Sequence, residues 1–333
     1  MSEMHPPYLM FLGDVDDQLG AKTAQGIVDW RPEWCLGQLR LEGCKADLGI
    51  SDISIAEAVK AGAKTMVIGI VNSGGFLPEH WIEKITNAMD AGLDIASGLH
   101  IKLSDVPEIS ASAEKNGRSL FDVRHPTQNI PTGKGLPRTG KRLLAVGTDC
   151  SVGKMYTALA LEKEMKARGM KADFCATGQT GIFIAGSGIS IDAVVADFIS
   201  GAVEMLAPEN DPDHWDIVEG QGSLFHPSFA GVSVGLLHGA QADALVLCHE
   251  PTRTHMRGIP EYPLPDLQDC MDLNLITAQL TNSRAAFVGI SVNTSGLTTE
   301  EGDAYLKELE QKYALPCVDA YRTGVASIVD RLG

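Results

Sequence analysis

The chain has 333 residues, about twice the length of an ordinary domain, with 44% hydrophobic, 21% charged and 6% aromatic residues and 35 glycines. That composition excludes intrinsic disorder, collagen-like repeats and a small disulfide scaffold. Its 27 Lys+Arg against 43 Asp+Glu leave a net charge of −16, a field that repels nucleic-acid backbones and anionic membranes and admits an anionic small molecule only where local amides and cations overcome it.

The opening MSEMHPPYLMFLGDVDD has no basic segment and turns acidic after a short apolar run, so no signal peptide is expected. The longest apolar stretches, such as Met66–Val71 and Ala244–Cys248, fall far short of the ~20 residues of a spanning helix, and a cytoplasmic location is expected. The seven cysteines form no CxxC pair and are expected to be reduced and mostly buried. Histidines show no HxxxH or HExxH spacing, and no metal site is expected.

Short apolar runs alternate with helical patterns. Tyr8–Leu12 reads as a strand, Gln18–Val28 and Ile53–Ala61 as helices, Thr65–Val71 as a strand, Glu79–Ala91 as a helix and Leu93–Ala96 as a strand. Gly13–Gly20 lacks the GxGxxG spacing, which makes dinucleotide binding there a weak expectation. Asn72–Gly75 is expected to line a ligand. HPTQNIPTGKGLPRTGKR, from His125 to Arg142, reads as a Pro/Gly-rich basic linker. The expected division is 1–125, a linker at 126–142 and 143–333.

After the linker the rhythm restarts. Strands are expected at Leu143–Val146, Asp173–Ala176, Trp215–Val218, Ala244–Cys248, Ala286–Val292 and Cys317–Ala320. Helices are expected at Lys154–Arg168, Asp192–Met205, near Asp269–Leu280 and at Thr299–Tyr313. Both halves therefore read as α/β with parallel sheets.

The sharpest signal is GTDCSVGKM: Gly147, Thr148, Asp149, Cys150, Ser151, Val152, Gly153, Lys154 and Met155, between a strand and a helix. Glycines let successive N–H groups point inward, the helix N-terminus adds partial positive charge, and the lysine reaches the outer phosphates. Met155 stands where a Ser or Thr hydroxyl would hold Mg²⁺, and a thioether is no ligand for that hard cation. Thr157 lies two residues on, about 200° around the helix. The loop is thus suited to phosphates that remain intact.

Glu219, in the strand-to-turn run DIVEGQGS, is expected to hold a metal-bound water, accept a proton or cap its turn; His226 in SLFHPSF is a possible base or a turn residue. Thr177–Gly188 (TGQTGIFIAGSG) is too glycine-rich for a helix and is expected to be a ligand-lining loop. Asp192 and Asp197 are five apart, about 140° on a helix, so only one would face a site; Asp192 reads equally well as a helix cap. Arg253 and Arg257, in HEPTRTHMRGIPEYPLPDL, are expected to clamp carboxylates unless they are ordinary surface arginines.

GTDCSVGK followed by VEGQGS resembles the dethiobiotin synthetase branch of P-loop proteins. GTDCSVGKM, TGQTGIFIAGSGISIDAVVADF, VEGQGSLFHP, PTRTHMRG and DAYRTGV together, over essentially the whole chain, are more closely similar to the D-glutamate N-acetyltransferase family. That resemblance implies a Rossmann-like N-terminal domain, a C-terminal P-loop-type parallel-sheet domain and acetyl transfer from acetyl-CoA to D-glutamate in D-amino-acid catabolism. CoA would then enter as co-substrate, its phosphates spectators on Gly147–Lys154 aided by Lys134, Arg138, Lys141 or Arg142. The base would come from Asp192, Asp197, Glu219 or His226, and oxyanion donors from Gly178–Gly181 or Gly220–Gly222. Gln179, Gln221, Arg253 and Arg257 would bind the amino acid. The partners expected are small molecules and further copies of the chain, a dimer being the simplest homo-oligomer; the N-terminal half would close over substrate or build its interface. An ATP- and Mg²⁺-dependent ligase of the dethiobiotin synthetase type is the alternative enzyme, and a nucleotide-binding regulator without turnover the alternative outside catalysis.

Overall fold

Buried β-forming runs separated by helices condense into two parallel sheets, one in each of two compact units. The computed structural model describes residues 4–70 and 77–332; the expected loop at Asn72–Gly75 lies outside them. One unit comprises residues 1–127 with Gly178–Ala193, the other Gln128–Thr177 with Val194–Gly333.

In the first unit, β1 (Tyr8–Gly13), α1 (Lys22–Trp30), β2 (Cys35–Arg40), α2 (Ile55–Lys60), β3 (Thr65–Ile68), α3 (Glu79–Asp90), β4 (Asp94–Ser97), α4 (Pro107–Asn116) and β5 (Leu120–Asp122) follow in order. The strands form a five-stranded sheet, order β2-β1-β3-β4-β5, with all pairings parallel. The interior strand β1 is buried along its whole length, as expected for a parallel sheet covered on both faces. Gly13 ends β1 at φ +56° beneath the Trp81 ring, whose indole donates to Asp14 at 2.8 Å. Close packing by an aromatic ring therefore accounts for that glycine without a dinucleotide.

In the second unit, β6 (Lys141–Gly147) leads into α5 (Lys154–Ala167) and β7 (Ala172–Cys175). After α6 (Gln179–Ala185), which belongs to the first unit, come α7 (Ile199–Leu206), β8 (Trp215–Val218), α8 (Ala230–Ala240) and β9 (Ala244–His249). The hairpin β10 (His255–Met256) and β11 (Ile259–Pro263) precedes α9 (Leu267–Gln279), β12 (Ala286–Val292), α10 (Thr299–Tyr313), β13 (Cys317–Val318) and α11 (Ala326–Val329). The six-stranded parallel sheet has order β13-β12-β9-β6-β8-β7. The chain crosses from β8 to β9, over opposite edges of β6, so the carboxyl end of β6 lies where open α/β sheets bind ligands.

Three expectations change. Thr177–Gly188 is not a loop: Gln179–Ala185 is helical and packs with α1, where Thr180 Oγ1 donates to Thr23 Oγ1 at 3.1 Å. Burial of Ile182, Phe183 and Ile184 outweighs the low helix propensity of Gly181. The helix expected from Asp192 starts only at Ile199, after two short 3₁₀ turns at Ile191–Ala193 and Ala196–Phe198. Finally, residues 126–140, expected as part of a linker, form neither helix nor strand, and part of that stretch is fastened down within the second unit. The Lys134 and Gly135 amides donate to the Glu204 carboxylate, and Arg138 donates to the carbonyls of Ala207 and Gly239 and to Gln241 Oε1.

Candidate active site

Everything at the carboxyl end of β6 is arranged around one buried lysine. Ser151 at φ +53° and Gly153 at φ +98° curl the segment after the strand and deliver it to the first turn of α5, whose leading N–H groups lack intrahelical partners. Lys154 opens that helix and folds back so that Nζ donates to the Asp149 carbonyl at 2.7 Å. Its stem passes Gly147 and Gly220: a Cβ on Gly147 would lie 3.1 Å from Nζ, and one on Gly220 would lie 2.9 Å from Cδ and 1.6 Å from the Ala145 carbonyl oxygen. Burial pushes this ammonium below its ordinary pKa, against the opposing pull of Cys150, Cys248 and Asp149.

The loop is braced from three sides. Asp149, fully buried, accepts from the Cys150 amide at 2.6 Å, from Arg253 Nη1 at 2.6 Å and from the Arg257 amide at 2.7 Å. Arg253 also reaches the carbonyls of Cys150 and Ser151, and the Arg257 guanidinium donates to Ser151 Oγ. Thr148 Oγ1 meets His249 Nδ1 at 3.1 Å, and Ser223 Oγ donates to the Thr148 carbonyl at 3.1 Å. Burial drives the His249 pKa down to about 4, with Glu250 opposing and Arg253 assisting.

Glu219 and Gly220 follow β8 directly. The Glu219 carboxylate accepts from the Thr177 amide at 2.9 Å, Thr177 Oγ1 donates to the Glu219 carbonyl at 2.7 Å, and Gln221 Nε2 donates to Thr177 Oγ1 at 3.1 Å. His226 is 1% exposed, stacked on Phe229 at 4.4 Å, and its Nδ1 accepts from the Ser228 amide at 3.1 Å. That bond leaves the proton of the neutral ring on Nε2. Sequence suggests a base at His226; the backbone amide occupying Nδ1 makes the neutral ring a donor instead.

Asp149, Cys150 and His226 bring one possible ligand atom each within 4.8 Å, the one such group among the described residues. Both Asp149 oxygens are already engaged by donors, so a cation there would compete with the Arg253 guanidinium. Thr157, the first Ser or Thr hydroxyl of α5, is buried and donates to Ser291 Oγ at 2.8 Å; it faces the core, not the loop mouth. With Met155 directly after the lysine, α5 presents no Ser or Thr hydroxyl for magnesium at that position.

Residues 130–329 match the model of a domain of unknown function, the DUF1611_C P-loop domain, and residues 39–126 match the DUF1611_N Rossmann-like domain. The chain belongs to the DUF1611 family. It is 56% identical over 326 residues, 98% of each chain, to the D-glutamate N-acetyltransferase of Tritonibacter scottomollicae. It is 53% identical over 330 residues, 99% of each chain, to the protein of the same name from a Pseudoalteromonas species. A crystal structure of a DUF1611 family protein from Anabaena variabilis superposes with a TM-score of 0.86 at 30% identity, over 98% of this chain and 99% of that one. The Rossmann-like and P-loop architecture expected from sequence is the architecture of this family.

Within the DUF1611 P-loop unit, the structure brings together Gly147–Met155, Glu219, Gln221, His226, Arg253 and Arg257. Asp192 and Gln179 belong to the other unit, where Asp192 is ion-paired with Arg124 and Gln179 begins α6. The glycines at 178–181, expected as oxyanion donors, lie at the start of that same helix. Asp197 is exposed in the 3₁₀ turn before α7. Of the linker cations expected at the loop, Lys141 and Arg142 start β6, whose far end is Gly147, roughly 15–20 Å away at ~3.3 Å per residue, and Arg138 is tied to α8. Sequence reasoning missed His249 and Ser223. His249 could have been found as the polar residue that closes an otherwise apolar buried strand.

Proposed function

We propose that this chain transfers an acetyl group from acetyl-CoA to the amine of D-glutamate. The observation that carries this reading is full-length similarity at 53–56% identity to two proteins named D-glutamate N-acetyltransferase. The site supports it chemically. Acyl transfer leaves the phosphates of CoA intact, and the loop combines a phosphate cradle with the absence of a magnesium-holding hydroxyl at Met155.

In this reading the amides of Gly147–Lys154 and the Lys154 ammonium hold the CoA phosphates. Glu219, fixed by Thr177, receives a proton from the amine, and amides of the Gly220–Gly222 turn serve the oxyanion. Arg253 is committed to Asp149; Gln221 and the exposed side of Arg257 are left to meet the carboxylates of D-glutamate. Cytoplasmic acetyl-CoA suits a chain in which no described helix is long and apolar enough to cross a membrane.

The test is thiol release from acetyl-CoA on adding D-glutamate, without ATP or a divalent cation. CoA release matched by N-acetyl-D-glutamate is expected. ADP formed from ATP, with no thiol released, would replace the acetyltransferase with a ligase.

A further inference from the structure

The loop contains a nucleophile that phosphate binding does not require. Cys150 is partly exposed, unlike the buried Cys175, Cys248, Cys270 and Cys317. Its backbone is held on both sides, its amide by Asp149 Oδ1 and its carbonyl by Arg253 Nη1. It lies just ahead of the N-terminus of α5, and Lys154 bonds the carbonyl of the preceding residue. Thiols placed near cations and helix N-termini are those that ionise readily.

A second, independent observation comes from another segment. A ring nitrogen of His226 lies within 4.8 Å of the Cys150 sulfur. His226 is 1% exposed, its Nδ1 is occupied by the Ser228 amide, and its Nε2 has no hydrogen-bond partner. A buried N–H donor is normally satisfied, and a neighbouring thiolate or the oxygen of a bound acyl group would satisfy this one.

We propose that Cys150 is the acetyl carrier of this enzyme, with the Nε2–H of His226 as donor to its thiolate. The inference rests on the acetyltransferase reading above and deepens it. The Cys150 thiolate attacks the acetyl carbonyl carbon, an S–C bond forms, the CoA–acetyl bond breaks, and CoA leaves as a thiolate that takes one proton. The amine of D-glutamate, having lost a proton from its ammonium form, then attacks the acetyl-cysteine. The new N–C bond forms, the Cys150–acetyl bond breaks, the nitrogen gives up a second proton to Glu219, and Cys150 leaves as thiolate. Of the two protons lost by the ammonium, one balances the CoA thiol and one goes to solvent. No oxidant or metal enters.

The decisive experiment uses the wild-type protein with acetyl-CoA alone. One equivalent of CoA thiol is expected in a burst, intact-mass spectrometry should show the mass of one acetyl group, and peptide mapping should place it on Cys150. Adding D-glutamate should discharge it, and double-reciprocal plots should be parallel. Cys150→Ser should lose about 10³-fold or more in kcat. His226→Phe should slow alkylation of Cys150 near neutral pH, and His226→Gln, which keeps an N–H donor, should restore part of that rate. Intersecting lines without an acetyl-enzyme, together with a Cys150→Ser variant within about tenfold of wild-type kcat, would overturn the carrier while leaving the acetyltransferase intact. Absence of any D-glutamate-dependent CoA release would instead overturn the function beneath it, and the carrier with it.

Discussion

Replacing Arg253 by alanine distinguishes a residue that clamps substrate from one that holds the loop in shape. Its Nη1 bonds Asp149 Oδ2 at 2.6 Å and the Cys150 carbonyl at 2.7 Å, and Asp149 is wholly buried. Removing one partner of a buried ion pair costs about 3–5 kcal/mol because a charge is left uncompensated. Here the amides of Cys150 and Arg257 remain on Asp149, and Arg253 is 19% exposed, so water reaches part of the gap. A loss of about 2–3 kcal/mol is therefore expected. For a unit of this size it corresponds to a fall of about 4–12 °C in the midpoint of thermal unfolding. The loop also loses two carbonyl anchors, so KM should rise for acetyl-CoA and D-glutamate together. An Asp149→Asn, Arg253→Ala double-mutant cycle should return a coupling of at least about 1.5 kcal/mol. A midpoint within about 1 °C of wild type, with KM raised for D-glutamate alone, would refute the bracing role and return Arg253 to the substrate.

Lys154→Ala should raise KM for acetyl-CoA by about 10–100-fold, the worth of a charge-assisted contact, while KM for D-glutamate changes little; equal effects would contradict phosphate binding. Gly220→Ala would put a methyl 1.6 Å from the Ala145 carbonyl oxygen and should cost at least about 1–3 kcal/mol; wild-type stability in urea would disprove that close approach. His249 has its pKa lowered to about 4 by burial, so the unfolded chain binds the proton first and the native form loses stability as pH falls from about 6.5 towards 4. Its share is up to about 3 kcal/mol, and His249→Gln should flatten the urea midpoint over that pH range. An unchanged slope would remove His249 from the acid response. Thr177→Val keeps the amide that holds Glu219 Oε2 but deletes the hydroxyl between the Glu219 carbonyl and Gln221. If Thr177 positions the proton acceptor, the acid limb of the kcat profile should move, with a loss of about 1 kcal/mol in stability; a change in stability alone would make it structural.

The loop was legible because its chemistry is local: glycines, lysine and helix start fall within nine consecutive residues. Most strands were legible for a related reason, since parallel strands buried on both faces form continuous apolar runs. Helices α6 and α8 were not. The short α6 is bounded by Gly178 and Gly186, and α8 contains three glycines and is apolar nearly all round, so neither propensity nor periodicity marks it. It forms through packing: Cβ atoms on Gly235 and Gly239 would come within 2.6 Å of Ile199 and 2.4 Å of the Ser200 carbonyl. The roles of Arg253 and Arg257 were hidden because their partners lie about a hundred positions upstream. Asp192 misled because its expected helix begins seven residues later, and its carboxylate pairs with Arg124, which sequence reading had no reason to join to it.

The same separation of local from distant partners shapes the chemistry. A P-loop that cleaves nucleotides needs a hydroxyl directly after its lysine, and here that position is a thioether while the next Ser or Thr hydroxyl, on Thr157, is bonded to Ser291 in the core. The reactive group of the loop is instead a thiol four residues before the lysine, and its neighbour His226 arrives from the segment between β8 and α8. Holding the anchor of a cofactor and reacting with its far end impose different demands. In the mechanism proposed above the loop takes part in both, and Asp149 fixes its backbone: the buried carboxylate draws in the Cys150 amide, Arg253 and the Arg257 amide at once. Loosening Asp149 should therefore weaken phosphate binding and misplace the thiol together, whereas changing Cys150 should spare the affinity for acetyl-CoA and abolish only what happens to it.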